Sequence, residues 1–124
     1  MAPQRQDYLL RLIEELGRFV REALRSGEPQ RAEAALPALV QAQERLFARP
    51  AAQFVGLTPE AQVDLLAFAE SPATAQEKCA TYAAILDYAA ELYEPAGRPA
   101  LALASREWAN TVRAIAATRW PVSA

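Results

Sequence analysis

Apolar residues near the start of the chain recur every three or four positions, with Leu9, Leu12, Leu16, Phe19 and Ala23 on one line and Tyr8, Ile13, Val20 and Leu24 widening it. A repeat close to 3.6 residues gathers these side chains on one face of a helix. Arg11, Glu14, Glu15, Arg18, Arg21, Glu22 and Arg25 fall opposite. The pattern predicts a helix from about Gln6 to Arg25, with Asp7 near its positive end and Gly27 just past its stop. Glu14 and Arg18 form an i,i+4 pair that adds only about 0.3 kcal/mol, so this polar side is an ordinary solvated face.

The same reading yields four more helices. Pro29, suited to a first-turn position, opens a stretch to about Ala48 that carries Leu36, Leu39, Val40, Leu46 and Phe47. Pro37 interrupts it, and because an interior proline costs about 3 kcal/mol, a kink or a short helix followed by a longer one is expected. A third helix starts with Thr58 as N-cap, Pro59 as first residue and Glu60 in the first turn, and extends to near Glu70. A fourth begins after Ser71 and Pro72, where Thr74 and Glu77 have the T-x-x-E spacing of a capping box. Along it, Cys79, Tyr82, Ala83, Leu86, Ala90 and Tyr93 form one apolar stripe and Ile85, Tyr88, Ala89 and Leu92 a second, which makes this helix the central one. The break from Glu94 to Pro99 is short enough to return an antiparallel helix over about Ala100 to Thr118, with Leu101, Ala104, Trp108, Val112 and Ile115 as its inner face. Nothing alternates at period two over the length of a strand. The fold class is therefore all-α: a compact bundle of about five helices in a single domain over residues 1–124, its last two an antiparallel hairpin.

Composition sharpens this picture. Of the 124 residues 52% are hydrophobic, but alanine supplies much of that share, so few large side chains are left to cover the broad stripe of the first helix. An uncovered stripe needs a partner. Leu9, Leu12, Leu16 and Phe19 are thus candidates for an interaction surface, the partner being a second copy of the chain. Thirteen basic and fifteen acidic residues leave a net charge of −2, with a pI near 5.2, which argues against nucleic acid as a partner. Acids and arginines inside the opening apolar stretch speak against a signal peptide, and no run reaches the roughly 20 apolar residues of a membrane span. With Cys79 as the one cysteine, a cytoplasmic protein is expected.

The opening QDYLLRLIEELGRF, Gln6 to Phe19, resembles the N-terminal signature of a bacterial family known only as a domain of unknown function, the specific part being Gln6 to Gly17. The resemblance implies an opening helix, a middle helical pair and a tail similar to a tetratricopeptide repeat, and it implies no catalytic residue. The pair from about Cys79 to Ala117 looks like one tetratricopeptide-type hairpin, with Ala90, Tyr93 and Gly97 in its first helix and turn. Counted from Gly97, the alanine and aromatic positions of the second helix fall on Ala102 and Arg106, whereas Ala104 and Trp108 stand two residues later. A single such unit and a generic antiparallel hairpin with small residues at its crossing both fit; stacked repeats need about three units.

The chemistry is narrow. The sequence has no histidine, which excludes Ser-His-Asp, Cys-His and HExxH arrangements and helical Glu-x-x-His di-iron sites. Four unclustered glycines cannot write a phosphate-binding or dinucleotide-binding loop. No cofactor, metal site or catalytic residue is assigned. Cys79 falls on an apolar stripe and reads as core. Asp87, Glu91 and Glu94, at i, i+4 and i+7, read as a solvated face that can attract Arg98, Arg106 or Arg113 of the neighbouring helix, and as acid–base groups only if they share a cleft. Tyr82, Tyr93 and Trp108, together with Tyr88 and Trp120, are candidates for the lining of a small-molecule pocket between helices. Trp120, ahead of Pro121, can either pack back on the bundle or face a partner. The expected function is a non-enzymatic protein-interaction module that self-associates through its first helix, the alternative being a module that binds a small apolar ligand between the last two helices.

Overall fold

Proline opens four of the five helices, each time in the first turn, where its missing N–H has no intrahelical partner to lose. The computed structural model describes residues 2–121, with side chains from residue 7 onward. In chain order the elements are α1 (Ala2–Arg25), α2 (Pro29–Phe47), a short 3-10 turn (Ala51–Gln53), α3 (Pro59–Ala67), α4 (Pro72–Tyr93) and α5 (Pro99–Arg119). The expected all-α class is observed.

The caps explain the boundaries. The Thr58 hydroxyl accepts from the Ala61 amide at 3.2 Å, as the N-cap assignment requires. At α4 the expected capping box gives way to Ser71: its hydroxyl accepts from the Thr74 amide at 3.2 Å, and Thr74 is the third residue of the helix. Pro72 at the first position favours this earlier start. Gly27 and Gly97 close α1 and α4 with φ of +69° and +80°, a conformation that costs a residue without Cβ nothing.

Two further boundaries differ from those expected. Of the two outcomes expected at Pro37, the division does not occur: helix α2 runs through it as one element. Pro37 itself lies on the exposed side of the helix, away from the core. Helix α3 stops at Ala67, and Ala69 adopts a left-handed φ of +58° in the connection that leads into α4.

Helix α4 is central, packed by α1, α2, α3 and α5. It and α2 cover α1, so Leu9, Leu12 and Leu16 are only 5%, 3% and 6% exposed and belong to the core. This overturns their assignment to an interaction surface. Helices α2 and α4 bring large residues to the core they share with α1, among them Leu39, Leu46, Ile85 and Leu92, which the alanine-rich composition seemed to withhold. Phe19 alone of the four remains outside, 44% exposed.

Helix α5 meets α4 along a different line from the one expected. Ala102, Ser105, Ala109 and Val112 are buried; Trp108 and Ile115 are half-buried, and Leu101 and Ala104 are exposed. Small residues occupy the seam from both sides, with Ala83 and Ala90 of α4 fully buried, and they let the two backbones approach closely. The Ser105 hydroxyl donates to the Leu86 carbonyl across the seam at 2.7 Å. The larger residues of α5 are thereby displaced to its flank.

Candidate binding cleft beside the last two helices

That displacement creates a cleft. Tyr82, Leu86, Ala89 and Tyr93 of α4 form one wall; Leu101, Ala104, Ser105 and Trp108 of α5 form the other. Gln43 of α2, Val55 of the following loop and Gln62 of α3 complete a space of about 360 Å³, near the lower end of the range for ligand pockets. The three aromatic residues singled out in the sequence, Tyr82, Tyr93 and Trp108, line this one cleft. Tyr88 and Trp120 do not. The Tyr88 hydroxyl points to α1, 3.5 Å from the Ile13 carbonyl, and Trp120 packs against the core with its carbonyl accepting from Gln76 Nε2 at 2.7 Å.

The floor is a polar junction built on Gln62, 1% exposed. Its Nε2 donates to the Phe54 carbonyl at 2.9 Å, while its Oε1 accepts from the Tyr82 hydroxyl at 2.8 Å and from Trp108 Nε1 at 2.7 Å. A side-chain amide offers two donors and one oxygen with two lone pairs, so three bonds nearly exhaust it. Phe47 stacks on Phe54, with ring centroids 4.1 Å apart, and meets Tyr82 edge-on at 5.0 Å, which holds the tyrosine ring in place. Burial pushes the Tyr82 hydroxyl up to about 12, so it stays a donor to Gln62 at neutral pH.

Two polar groups of the cleft remain open. Neither the Gln43 amide nor the Tyr93 hydroxyl has a hydrogen-bond partner among the described residues, and both residues are half-buried. None of the lining residues is charged. The ionic contacts lie outside the lining. Arg98, just before α5, grips Glu33 of α2 with Nε and Nη2, the shortest contact being 2.6 Å, and this hydrogen-bonded guanidinium lowers the Glu33 carboxyl below its usual range.

Elsewhere the candidate chemistry dissolves into structure. Asp87 pairs with Arg113 and Glu94 with Arg106, while Glu91 faces solvent, so the acidic residues hold α5 against α4 and share no cleft. Arg98 turns to Glu33 instead. Cys79 is buried, and desolvation pushes its thiol up to about 11, which leaves it protonated and unreactive at neutral pH. Among the described residues no group of three or more cysteine, aspartate or glutamate side chains is placed to hold a metal ion, and no helix is long and apolar enough to cross a membrane.

Sequence reasoning missed Gln62, Phe54, Gln43 and Val55. A signal existed for the first: Gln62 stands four residues before Leu66 in a helix of little more than two turns, on the face that packs inward. Phe54 and Val55 lie in a connection, where periodicity carries no information. Comparisons with family models, with curated proteins and with solved structures find nothing that matches this chain.

Proposed function

We propose that this chain is a non-enzymatic binding module whose cleft beside α4 and α5 receives a small, uncharged, largely apolar ligand. The carrying observation is the lining: aromatic and aliphatic walls from two helices, no charged side chain, and a floor whose polar atoms already bond one another. An ion entering such a cleft would shed hydration without meeting a counter-charge. An apolar body would bury its own surface against the aromatic and aliphatic walls. The open groups of Gln43 and Tyr93 suit a single hydroxyl, carbonyl or amide at one end of that body. A bacterial, cytoplasmic setting belongs to the same reading, supported by the N-terminal resemblance over Gln6 to Gly17.

Calorimetric titration with octanol, octanoate and octylamine tests this directly, because the three share one alkyl chain and differ in charge. Octanol should bind at least about tenfold more tightly than either ion, and Ala104→Leu, which fills the cleft from an exposed position, should abolish binding without lowering the melting temperature. Equal binding of all three, or no binding of octanol, would refute the proposal.

A further inference from the structure

We infer that the outer face of the α1–α2 hairpin docks a second copy of this chain. A groove of about 340 Å³ lies on that face, between Phe19, Glu22 and Ala23 of α1 and Arg31, Ala34 and Ala35 of α2. The Phe19 ring stands at its edge with almost half its surface in water, and Tyr8, three turns earlier on the same flank of α1, is similarly exposed. Glu15, also exposed, stands between the two rings on this flank, so Phe19 is the apolar anchor of the groove and Tyr8 lies beyond it.

Charge identifies the occupant. Glu22 stands on one wall of the groove and Arg31 on the other. Arg31 makes no ion pair among the described residues, and Glu22 meets only Arg25 on its own helix, in a pair whose side chains are both mostly solvated. A face with an acid on one wall and a base on the other is complementary to itself. Because α1 and α2 are antiparallel neighbours, Glu22 and Arg31 lie at one level. A two-fold axis parallel to the helices lays α1 of one copy over α2 of the other at that same level. Glu22 of each copy then meets the partner's Arg31, so the pair forms twice, and each Phe19 ring enters the other groove, where alanines leave room.

The division of labour follows from magnitudes. Exposed ion pairs contribute little affinity, so the charges set register while burial of the Phe19 rings holds the copies together. A contact held by one ring from each copy supports a weak dimer, dependent on concentration.

Sedimentation equilibrium from micromolar to millimolar protein tests the inference, and it reads mass, so its outcome is independent of the cleft. The wild-type mass should rise from 13.6 kDa toward twice that value, and added salt should weaken the rise only slightly. Arg31→Glu and Phe19→Ser should each remain monomeric with an unchanged helical circular-dichroism signal, since both positions are exposed. Glu22→Arg combined with Arg31→Glu should dimerise again, because the swapped charges still meet their complements. A wild-type monomer at millimolar concentration, a dimeric Arg31→Glu variant, or a double variant that stays monomeric would each overturn it.

Discussion

Gln62 shows how one polar side chain can organise a site in a chain with little catalytic chemistry. It joins the loop after α2, α4 and α5 through the Phe54 carbonyl, the Tyr82 hydroxyl and the Trp108 indole. Replacing it with leucine keeps the volume roughly constant but removes the partner of the Tyr82 hydroxyl and of the Trp108 indole, each stranded group costing about 1–3 kcal/mol, while the Phe54 carbonyl keeps the Leu57 amide at 3.1 Å. Gln62→Leu should therefore destabilise the protein by roughly 2 kcal/mol or more in urea unfolding, and Tyr82→Phe added to it should recover about 1 kcal/mol, because one stranded hydroxyl is then gone. A loss below about 1 kcal/mol, or no recovery in the double variant, would mean that water replaces the glutamine. The same local logic makes Cys79 a core residue: with no histidine in the sequence and a desolvated thiol, it has neither a base to activate it nor a solvent path.

At the scale of elements, what the sequence made legible depended on which residues face the core. The stripe of α1 was readable as a buried face because its large residues point inward; what periodicity could not say was whether its cover came from this chain or another. In α5 two rows share helical spacing, a large one through Leu101, Ala104 and Trp108 and a small one through Ala102, Ser105 and Ala109. Hydrophobicity favours the large row, yet close approach of α4 and α5 favours the small one, and the packing follows the second. The cleft is a product of that choice, so its three aromatic residues were legible as candidates while its geometry was not. Close approach also governs the α1–α4 crossing. A Cβ at Gly17 would lie 2.9 Å from the Tyr88 hydroxyl oxygen but 3.5 Å from the ring carbon that bears it. Alanine in a helix interior is favoured over glycine by about 1 kcal/mol. Gly17→Ala should thus bring no gain in the wild type, yet stabilise the Tyr88→Phe variant by about 1 kcal/mol; equal effects in both backgrounds, measured by urea unfolding of the four proteins, would contradict this.

For the molecule as a whole, the core and the cleft are built around the same helix. Helix α4 is packed by the other four helices, and the wall it gives the cleft is continuous with its buried stripe. Ion pairs tie α5 to the end of α4, to α4 itself and to α3 through Arg106–Glu94, Arg113–Asp87 and Arg119–Asp64, without entering the cleft. The central claim is that the cleft is a ligand site, and the two tryptophans allow it to be tested in one spectrum, since Trp108 lines the cleft and Trp120 lies outside it. In a ¹⁵N–¹H correlation experiment with added octanol, the Trp108 indole resonance and the backbone amides of Tyr93 and Leu101 should shift saturably while the Trp120 indole stays in place. Shifts at both indoles, or at neither, would contradict the account.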